Sequence, residues 1–254
     1  KSIFLEIYLK MTNPNMYEIL DDLKWQIEAG VDEALSEIPN ISFKKEKKSE
    51  IEKFEGNFHS NLNNLKNIND VNNYLKNFIN CELKNISKNS ISITGNLNSK
   101  IMMVCNIPNS EEDNKGEIII EKNRDLFINI LSSINLSLND ICLMPIIPWK
   151  TPGNRDLNDE EKDLLLPIIK KQIDIINPQI LIFLGSHPVK YIFHKDEGML
   201  SLRGKFLNYS NNDIEIPCMP ILSPDFLIRR PEYKRETWND LLTLSKKIKE
   251  LNLK

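Results

Sequence analysis

Two short and almost uninterrupted apolar runs constrain the fold of this chain most strongly: KIMMVCNIP, just before Asn109, and QILIFLG, which ends at Gly185. A strand with one solvated face alternates apolar and polar residues, whereas a parallel strand buried on both faces is apolar throughout. Further strands are predicted in SISIT, DICLMPIIPW and IEIPCMPIL, with helical periodicity between them in NRDLFINILSSINL and NDEEKDLLLPIIKKQIDIIN. This alternation predicts an α/β domain, built as a three-layer α/β/α sandwich with a central parallel sheet.

The regular alternation begins near Val71, and the chain ahead of it differs in composition. Met16–Pro39 has the spacing of an amphipathic helix or helix pair, and Phe43–Asn64 is charged and polar with few large apolar groups. The opening KSIFLEIYLK lacks an initiator Met and a small-residue cleavage site, which predicts a truncated or mis-started end rather than a signal peptide. We therefore predict a helical leader over 1–42, a charged linker over 43–70 and the sheet domain over 71–254.

Charge and cysteine usage argue against several classes of protein. The chain has 33 basic and 36 acidic residues and a net charge of -3, so a nucleic-acid partner would need a local basic patch. Its four cysteines stand far apart, without a C-x-x-C pair or a His at ligand spacing, which argues against disulfides and metal sites. No apolar run reaches the roughly 18 residues that a membrane-spanning helix needs. These features predict a cytoplasmic protein with reduced thiols and no membrane contact.

The junctions where strands end and loops begin are the places to look for function, because ligands of open parallel sheets bind beyond the carboxyl ends of the strands. Four such junctions are VCNIPNSEED, IIPWKTPGNR, FLGSHP and ILSPDFLIRR. Glu112 and Asp113 in the first could form an acid/base pair, but shaping of the loop is the favoured reading. His187 in the third is explained by a helix start, with Ser186 as the N-cap and Pro188 in the first turn.

The same junctions, in the same order, resemble family 4 of the uracil-DNA glycosylase superfamily. The family pattern G-E-x-P-G-x-x-E-D is similar to Cys105–Asp113, and R-P-P-G-N-R is similar to KTPGNR. A strand ending in L-G, then L-R-G, and then H-P-x-x-L-L-R before K-R-x-x-W-x-D-L are similar to FLG, LRG and Ser223–Leu241. The resemblance runs from about Cys81 to the C-terminus. The leader WQIEAGVDEAL resembles the α-proteobacterial branch of the family, whose members lack its metal cluster.

The resemblance implies four parts of a base-excising pocket, and this chain differs at all four. The family has a carboxylate that orients the attacking water, a Phe that stacks on the base, an Asn that reads the uracil edge, and a His that stabilises the departing uracil anion. The corresponding positions here are Asn106, Ile119, Pro145 and Ser223. On this basis Asn106 and Ser223 are the predicted catalytic positions, both impaired. Cys105, Pro108, Ile119 and Pro145 are the predicted base pocket.

The resemblance also implies an iron–sulfur cluster and a surface that contacts DNA. The four cluster cysteines of the family would fall near Phe78, Cys81, Trp149 and Leu165, and only Cys81 is a cysteine. One thiolate does not hold such a cluster, so no cofactor and no metal are predicted. Weak, non-specific contact with DNA phosphates is predicted for eight residues: Lys150, Gly153, Asn154, Arg155, Arg203, Arg229, Arg230 and Lys234.

Three functions follow as hypotheses. The first is a DNA-binding protein of base-excision repair whose glycosylase activity is lost or severely reduced. The second is an active glycosylase for uracil or another damaged base, with Asn106 holding the water. The third is a protein-interaction scaffold that no longer binds DNA. The retained basic loops favour the first hypothesis over the third, and the replaced base-reading position counts against the second.

Overall fold

A computed structural model describes residues 62–78, 81–193, 198–211 and 214–253 of the chain. The predicted leader over 1–42, the Met16–Pro39 helix and most of the predicted linker lie outside these residues. Leu62, Leu65 and Ile68 at the end of the linker segment are buried in the hydrophobic core. The packed domain therefore extends ahead of Val71, while the other domain boundaries stay a prediction.

The described chain forms one six-stranded sheet. The strands are β1 (Thr94–Gly95), β2 (Ile101–Cys105), β3 (Cys142–Pro145), β4 (Ile180–Leu184), β5 (Leu207–Asn211) and β6 (Ile214–Ile221). Their order across the sheet is β1-β3-β2-β4-β6-β5. The four central strands are parallel, with Met102 opposite both Cys142 and Leu181, and the two edge strands are antiparallel to their neighbours. The predicted parallel centre is thus confirmed, and the sheet as a whole is mixed.

Helices cover the sheet and are connected to it by short loops. They are α1 (Ile68–Lys76), α2 (Glu82–Ile86), α3 (Ser110–Lys115), α4 (Glu121–Ser133), α5 (Asp159–Ile176), α6 (Ser186–Phe193), α7 (Met199–Leu202), α8 (Pro224–Arg229) and α9 (Lys234–Glu250). Single 3₁₀ turns lie at Leu138–Asp140, Pro152–Asn154 and Pro231–Tyr233. The segment VNNYLKNFINCELK was predicted as one helix, and the structure instead gives α1 and α2 with an interruption between Lys76 and Glu82.

Successive residues of each central strand enter different hydrophobic cores, which explains why the strands are apolar throughout. Met102 and Val104 of β2 pack in a core that contains the buried faces of α1, α5 and α6. Ile101, Met103 and Cys105 pack in a second core with α4, α8 and α9. Because each core covers a different face of the sheet, the predicted three-layer α/β/α sandwich is confirmed.

Strand β5 was not predicted, and its sequence explains why. LNYSN has only one buried side chain, Tyr209, and polar residues occupy most of its other positions. An edge strand with one partner needs little apolar surface, and the alternation of Leu207 and Tyr209 with Asn208 and Ser210 is too short to stand out from a loop. Within the part of the chain that the structure describes, no helix has the length and apolar character needed to cross a membrane.

A buried ion pair joins the turn after α7 to the terminal helix. Arg203 Nη1 donates to both carboxylate oxygens of Asp240, at 2.7 and 2.8 Å, and the two side chains are 16% and 7% exposed. Gly204 follows at φ +71, and a Cβ there would lie 2.1 Å from Asp240 Oδ1. Burial raises the pKa of Asp240 even with Arg203 opposite it. The carboxylate therefore depends on Arg203 for its charge.

We expect Arg203→Met to lower the free energy of unfolding by about 3 kcal/mol, because it leaves a buried carboxylate without its partner. The matched control is Arg124→Met, which removes an exposed arginine 3.9 Å from Glu117 and should cost at most about 0.5 kcal/mol. Urea denaturation followed by circular dichroism measures both. Equal losses in the two variants would contradict a structural role for Arg203.

Candidate functional site

A cavity of about 310 Å³ opens where the central parallel strands end. Cys105 at the end of β2, Leu184 at the end of β4 and Ser223 just after β6 line it together. Asn106 and Ile119 complete the set of predicted pocket residues that the fold brings to this wall. The volume falls at the lower end of the roughly 300–1,000 Å³ that small-molecule pockets span.

Asn106 is held by the backbone that follows β4. Its Oδ1 accepts a hydrogen bond from the His187 backbone N–H at 3.1 Å. Gly185 makes this possible, because it adopts φ +104 and a Cβ there would lie 2.3 Å from Asn106 Nδ2. The amide carbonyl is thus already engaged with protein, and the amide Nδ2 is packed against the Gly185 backbone.

We expect Gly185→Ala to destabilise the protein and to displace Asn106. A positive φ is strained for alanine, and the new methyl would overlap the amide, so the loss should reach about 2–4 kcal/mol. Gly153→Ala is the matched control, since Gly153 also has a positive φ, +59, but has no described atom within 4 Å of the added Cβ. Its cost should be about 1–2 kcal/mol, from the backbone conformation alone. Thermal denaturation compares the two, and a smaller loss for Gly185→Ala would contradict the close approach.

Ser223 serves as the N-cap of α8. Its Oγ accepts from the Phe226 backbone N–H at 3.3 Å, and Pro224 occupies the first turn. The hydroxyl keeps its own hydrogen as a donor toward the cavity. It is nevertheless shorter than the imidazole that the resemblance places at this position, so its reach into the cavity is smaller.

The wall that contains Ile119 is built around the carboxylate of Glu112. Glu112 Oε1 accepts from the Ile119 N–H at 2.7 Å, and Oε2 accepts from the Asn109 N–H at 2.9 Å. The Asn109 side chain in turn accepts from the Glu112 N–H, which completes a capping box at the start of α3. These bonds hold Ile119 at φ +53, an uncommon conformation for a β-branched residue. Burial raises the pKa of Glu112.

Asp113 anchors the same loop from its other side. The carboxylate is 1% exposed and accepts from the backbone N–H groups of Lys88 and Asn89, each at 3.1 Å. Lys150 Nζ lies 3.6 Å from it. Glu112 and Asp113 of the SEED motif are therefore both used to hold backbone, and of these two only Glu112 also lines the cavity.

Two of the predicted base-pocket residues, Pro108 and Pro145, are not among the residues that line this cavity. Pro108 is buried and directly precedes the N-cap Asn109. Pro145 is buried at the end of β3, where it pairs with Cys105. A proline ring closes on its own backbone nitrogen, so it does not extend past the strand end as an asparagine side chain would.

His187 lines the cavity, and the sequence had favoured a purely structural explanation for it. The ring stacks on Tyr191, with 5.8 Å between ring centroids. Its Nε2 lies 3.7 Å from Asp156 Oδ1, and Tyr191 donates to the same oxygen at 2.9 Å. Nδ1 is buried, with no hydrogen-bond partner among the described residues. The signal was available in FLGSHP, because His187 comes three residues after Leu184, the end of a central strand.

The predicted DNA-contacting residues differ in whether their side chains already bind an acidic partner within the protein. Arg203 is bound to Asp240, and Arg155 makes a two-bond contact with Glu161 at 2.6 and 2.7 Å. Their guanidinium groups therefore hold the fold together. Gly153 and Asn154 form a 3₁₀ turn with positive φ at both residues, and Asn154 lines the cavity.

Exposed basic groups remain at the entrance that α8 forms. Arg229 lines the cavity and pairs with Asp225 one turn earlier, both well exposed. Arg230 lies 3.5 Å from Glu232, with side chains 66% and 57% exposed, and Lys234 is exposed at the start of α9. Exposed pairs of this kind contribute little stability, so these cations can exchange an acidic partner for a phosphate at low cost.

The residues at the positions of the family's cluster cysteines do not fit an iron–sulfur cluster. Phe78 stacks on Trp149 at 6.0 Å between centroids, and Cys81 and Leu165 are buried in the same core. Burial also raises the pKa of Cys81, which disfavours the thiolate that binds iron. Across the described ranges, no three His, Cys, Asp or Glu side chains are grouped so that they could hold a metal ion.

Comparison with known proteins supports the family resemblance seen in the sequence. The profile of the uracil DNA glycosylase superfamily matches residues 93–242. The chain is 27% identical over 175 residues to a type-4 uracil-DNA glycosylase of Saccharolobus solfataricus, covering 67% of this chain and 79% of that protein. It is 28% identical over 176 residues to the type-4 enzyme of Sulfurisphaera tokodaii, covering 67% and 78%. A type-4 enzyme of Thermotoga maritima is 25% identical over 150 residues, covering 59% and 77%.

Proposed function

The chain belongs to the uracil-DNA glycosylase superfamily, and we propose that it is a DNA-binding repair protein that accepts an extruded base but excises uracil slowly or not at all. One observation carries this proposal. A cavity is present at the strand ends, and Asn106, Ile119 and Ser223 line it at the positions where the resemblance places the reacting groups of the family. Enzymes that act on a base must take it out of the duplex into a fitted pocket. The cavity can therefore still bind an extruded base after the groups that excise it have been lost.

Excision of uracil needs charge stabilisation that this cavity supplies poorly. The departing base becomes an anion and the sugar a cation, so the pocket needs a donor at the base and a negative group at the sugar. Asn106 is neutral, and its carbonyl already accepts from His187. Ser223 donates at most one short hydrogen bond. Loss of one such donor lowers a rate by roughly 10²–10³, and losses within one catalytic unit are not additive.

Contact with DNA is proposed for the entrance formed by α8 and the start of α9. Arg229, Arg230 and Lys234 are exposed there, and Arg229 also lines the cavity. Phosphate contacts at this entrance would place the extruded base at the cavity. Arg155 and Arg203 have buried or two-bond acidic partners, and we assign them to the fold instead.

A second candidate function is an active glycosylase for a damaged base other than uracil. The observation that favours it is the presence of His187 and Glu112 in the cavity wall, both titratable and both partly or fully buried. The scaffold hypothesis receives no such support, since neither a cavity nor an exposed basic entrance is needed for it.

We expect negligible release of uracil from single- or double-stranded DNA by the unmodified protein. Restoring the family's groups with Asn106→Glu, Ile119→Phe, Pro145→Asn and Ser223→His together should raise the excision rate by about a hundredfold or more, since several stabilising groups return. A labelled oligonucleotide that has lost its uracil is cleaved by alkali at the abasic site, and the fraction cleaved over time measures the excision rate. The matched control carries the first three changes with Ser223→Ala, and it should stay near the wild-type rate. Rapid excision by the unmodified protein would contradict the proposal.

We expect Arg229→Ala with Arg230→Ala to weaken binding to duplex DNA at low salt and to reduce the salt dependence. Each phosphate contact that is lost should lower the slope of log K against log salt by about 0.9. Lys246→Ala with Lys249→Ala is the control, because these exposed lysines lie at the other end of α9, roughly 20 Å from Lys234 at 1.5 Å per residue. Fluorescence anisotropy at several salt concentrations provides the slopes. The same slope in both double variants would place the contact surface elsewhere.

A further inference from the structure

Trp238 presents an exposed indole on α9, although tryptophan is highly buried on average in folded proteins. It is 43% exposed, whereas Trp149 in the core is 1% exposed. Leu242 follows Trp238 by four residues, so it lies one turn later on the same side of the helix, and it is 49% exposed. The helix packs on the core through other residues, such as Leu244. Trp238 and Leu242 thus form an apolar strip that the packing of α9 does not require.

Two basic residues flank the indole. Lys234 and Arg235 precede Trp238 by four and three residues, so they lie one turn before it, one on each side. Both are exposed, and no ion pair among the described residues involves either of them. The acidic residues of α9 all lie at least about 120° around the helix axis from Trp238, at 3.6 residues per turn. They are Glu236, Asp240 and Glu250. The helix surface around the ring is therefore basic.

An exposed indole between two cations has the chemistry that binds an unpaired nucleotide. Every base has an aromatic face that can stack on a side-chain ring, and cations beside the ring can contact the adjoining phosphates. In a duplex, both faces of a base are covered by the neighbouring pairs, so a single strand offers the ring more. Lys234 already belongs to the proposed DNA entrance, and Trp238 lies roughly 6 Å further along the same helix, at 1.5 Å per residue.

We propose that Trp238 is a stacking site for an unpaired base of single-stranded DNA, outside the cavity, with Lys234 and Arg235 contacting the phosphates beside that base. This inference rests on the proposed function, since it extends the DNA entrance formed by α8 and the start of α9. It also names the favoured substrate class, which is single-stranded or locally opened DNA rather than closed duplex.

Leu242 provides a matched control that separates stacking from general hydrophobic contact. It is as exposed as Trp238 and lies on the same side of α9, but it has no aromatic face. A partner protein or a second copy of this chain would cover both members of the apolar strip, so loss of either side chain would weaken that contact. A stacked base needs only the ring. The two residues therefore respond differently if the ligand is DNA.

The test measures the affinity for a single-stranded oligonucleotide and for a duplex of the same length, by fluorescence anisotropy. Trp238→Ala should weaken single-strand binding by roughly 5- to 150-fold, the effect of losing one stacked base, and should leave duplex binding unchanged. Trp238→Phe should keep most of the single-strand affinity, and Leu242→Ala should keep all of it. The slope of log K against log salt should stay at the wild-type value in Trp238→Ala, because stacking releases no counterions.

Two further measurements report on stacking itself. A strand in which abasic sites replace all bases keeps its phosphates but has nothing to stack, so the wild type and Trp238→Ala should bind it equally. Single-stranded DNA should also quench indole fluorescence in the wild type and not in Trp238→Phe. Equal quenching in these two proteins would overturn the inference, because the quenched ring would then be another tryptophan.

The outcomes separate this inference from the function on which it rests. If Trp238→Ala binds single strands as the wild type does, while Arg229→Ala with Arg230→Ala weakens binding, the stacking site is overturned and the proposed function stands. Equal losses in Trp238→Ala and Leu242→Ala would also overturn it, and would assign the apolar strip to a hydrophobic partner. Absence of DNA binding by the wild type would overturn both the inference and the proposed function.

Discussion

Burial of strands β2, β3 and β4 at every residue is the constraint on which the rest of the structure depends. Neighbouring residues of β2, such as Val104 and Cys105, enter different cores, so neither face can carry a polar active group. Polar side chains are excluded until the strands end, and all four parallel strands end at the same edge. Asn106 is the first residue past β2, and Gly185 is the first past β4. Their close approach, which only a glycine allows, brings two loops together and forms one end of the cavity.

The stretch from Asn109 to Ile119 is held mainly by groups other than those that would carry out the reaction, although Asn106 and Ser223 each accept one backbone N–H elsewhere around the cavity. Glu112 binds the backbone of Ile119, Asp113 binds the backbone of Lys88 and Asn89, and Asn109 caps α3. None of these bonds uses the side chains at positions 106, 119 or 223. The fold and the cavity can therefore persist while the reacting side chains change. This independence is why membership of the superfamily establishes the architecture more firmly than it establishes the rate of uracil excision.

The sequence predicted those parts of the molecule whose physical cause is local. Continuous apolar runs identified β2 and β4, and the resemblance to the family identified Asn106, Ile119 and Ser223 as one group, which the cavity brings together. Pro145 is not among the residues that line the cavity, because spacing along the chain does not show how far a side chain reaches past a strand end. Arg203 illustrates another limit, because a basic residue in a loop is easily predicted to contact phosphate. In the fold its Nη1 lies 2.7 Å from Oδ1 of Asp240, which is 37 residues later in the chain. Strand β5 has only a short apolar–polar alternation, since an edge position makes few demands on sequence.

His187 shows how a structural and a functional explanation can both hold for one residue. As the sequence suggests, Ser186, His187 and Pro188 begin a helix, and the His187 N–H is one of the free donors of its first turn. That donor binds Asn106, so the helix start itself positions a cavity residue. The side chain is then directed by contacts that come from separate parts of the chain, Asp156 after the PGNR turn and Tyr191 one turn along α6. A wall that combines a neutral amide, a fixed imidazole and a short hydroxyl is weak at stabilising charge.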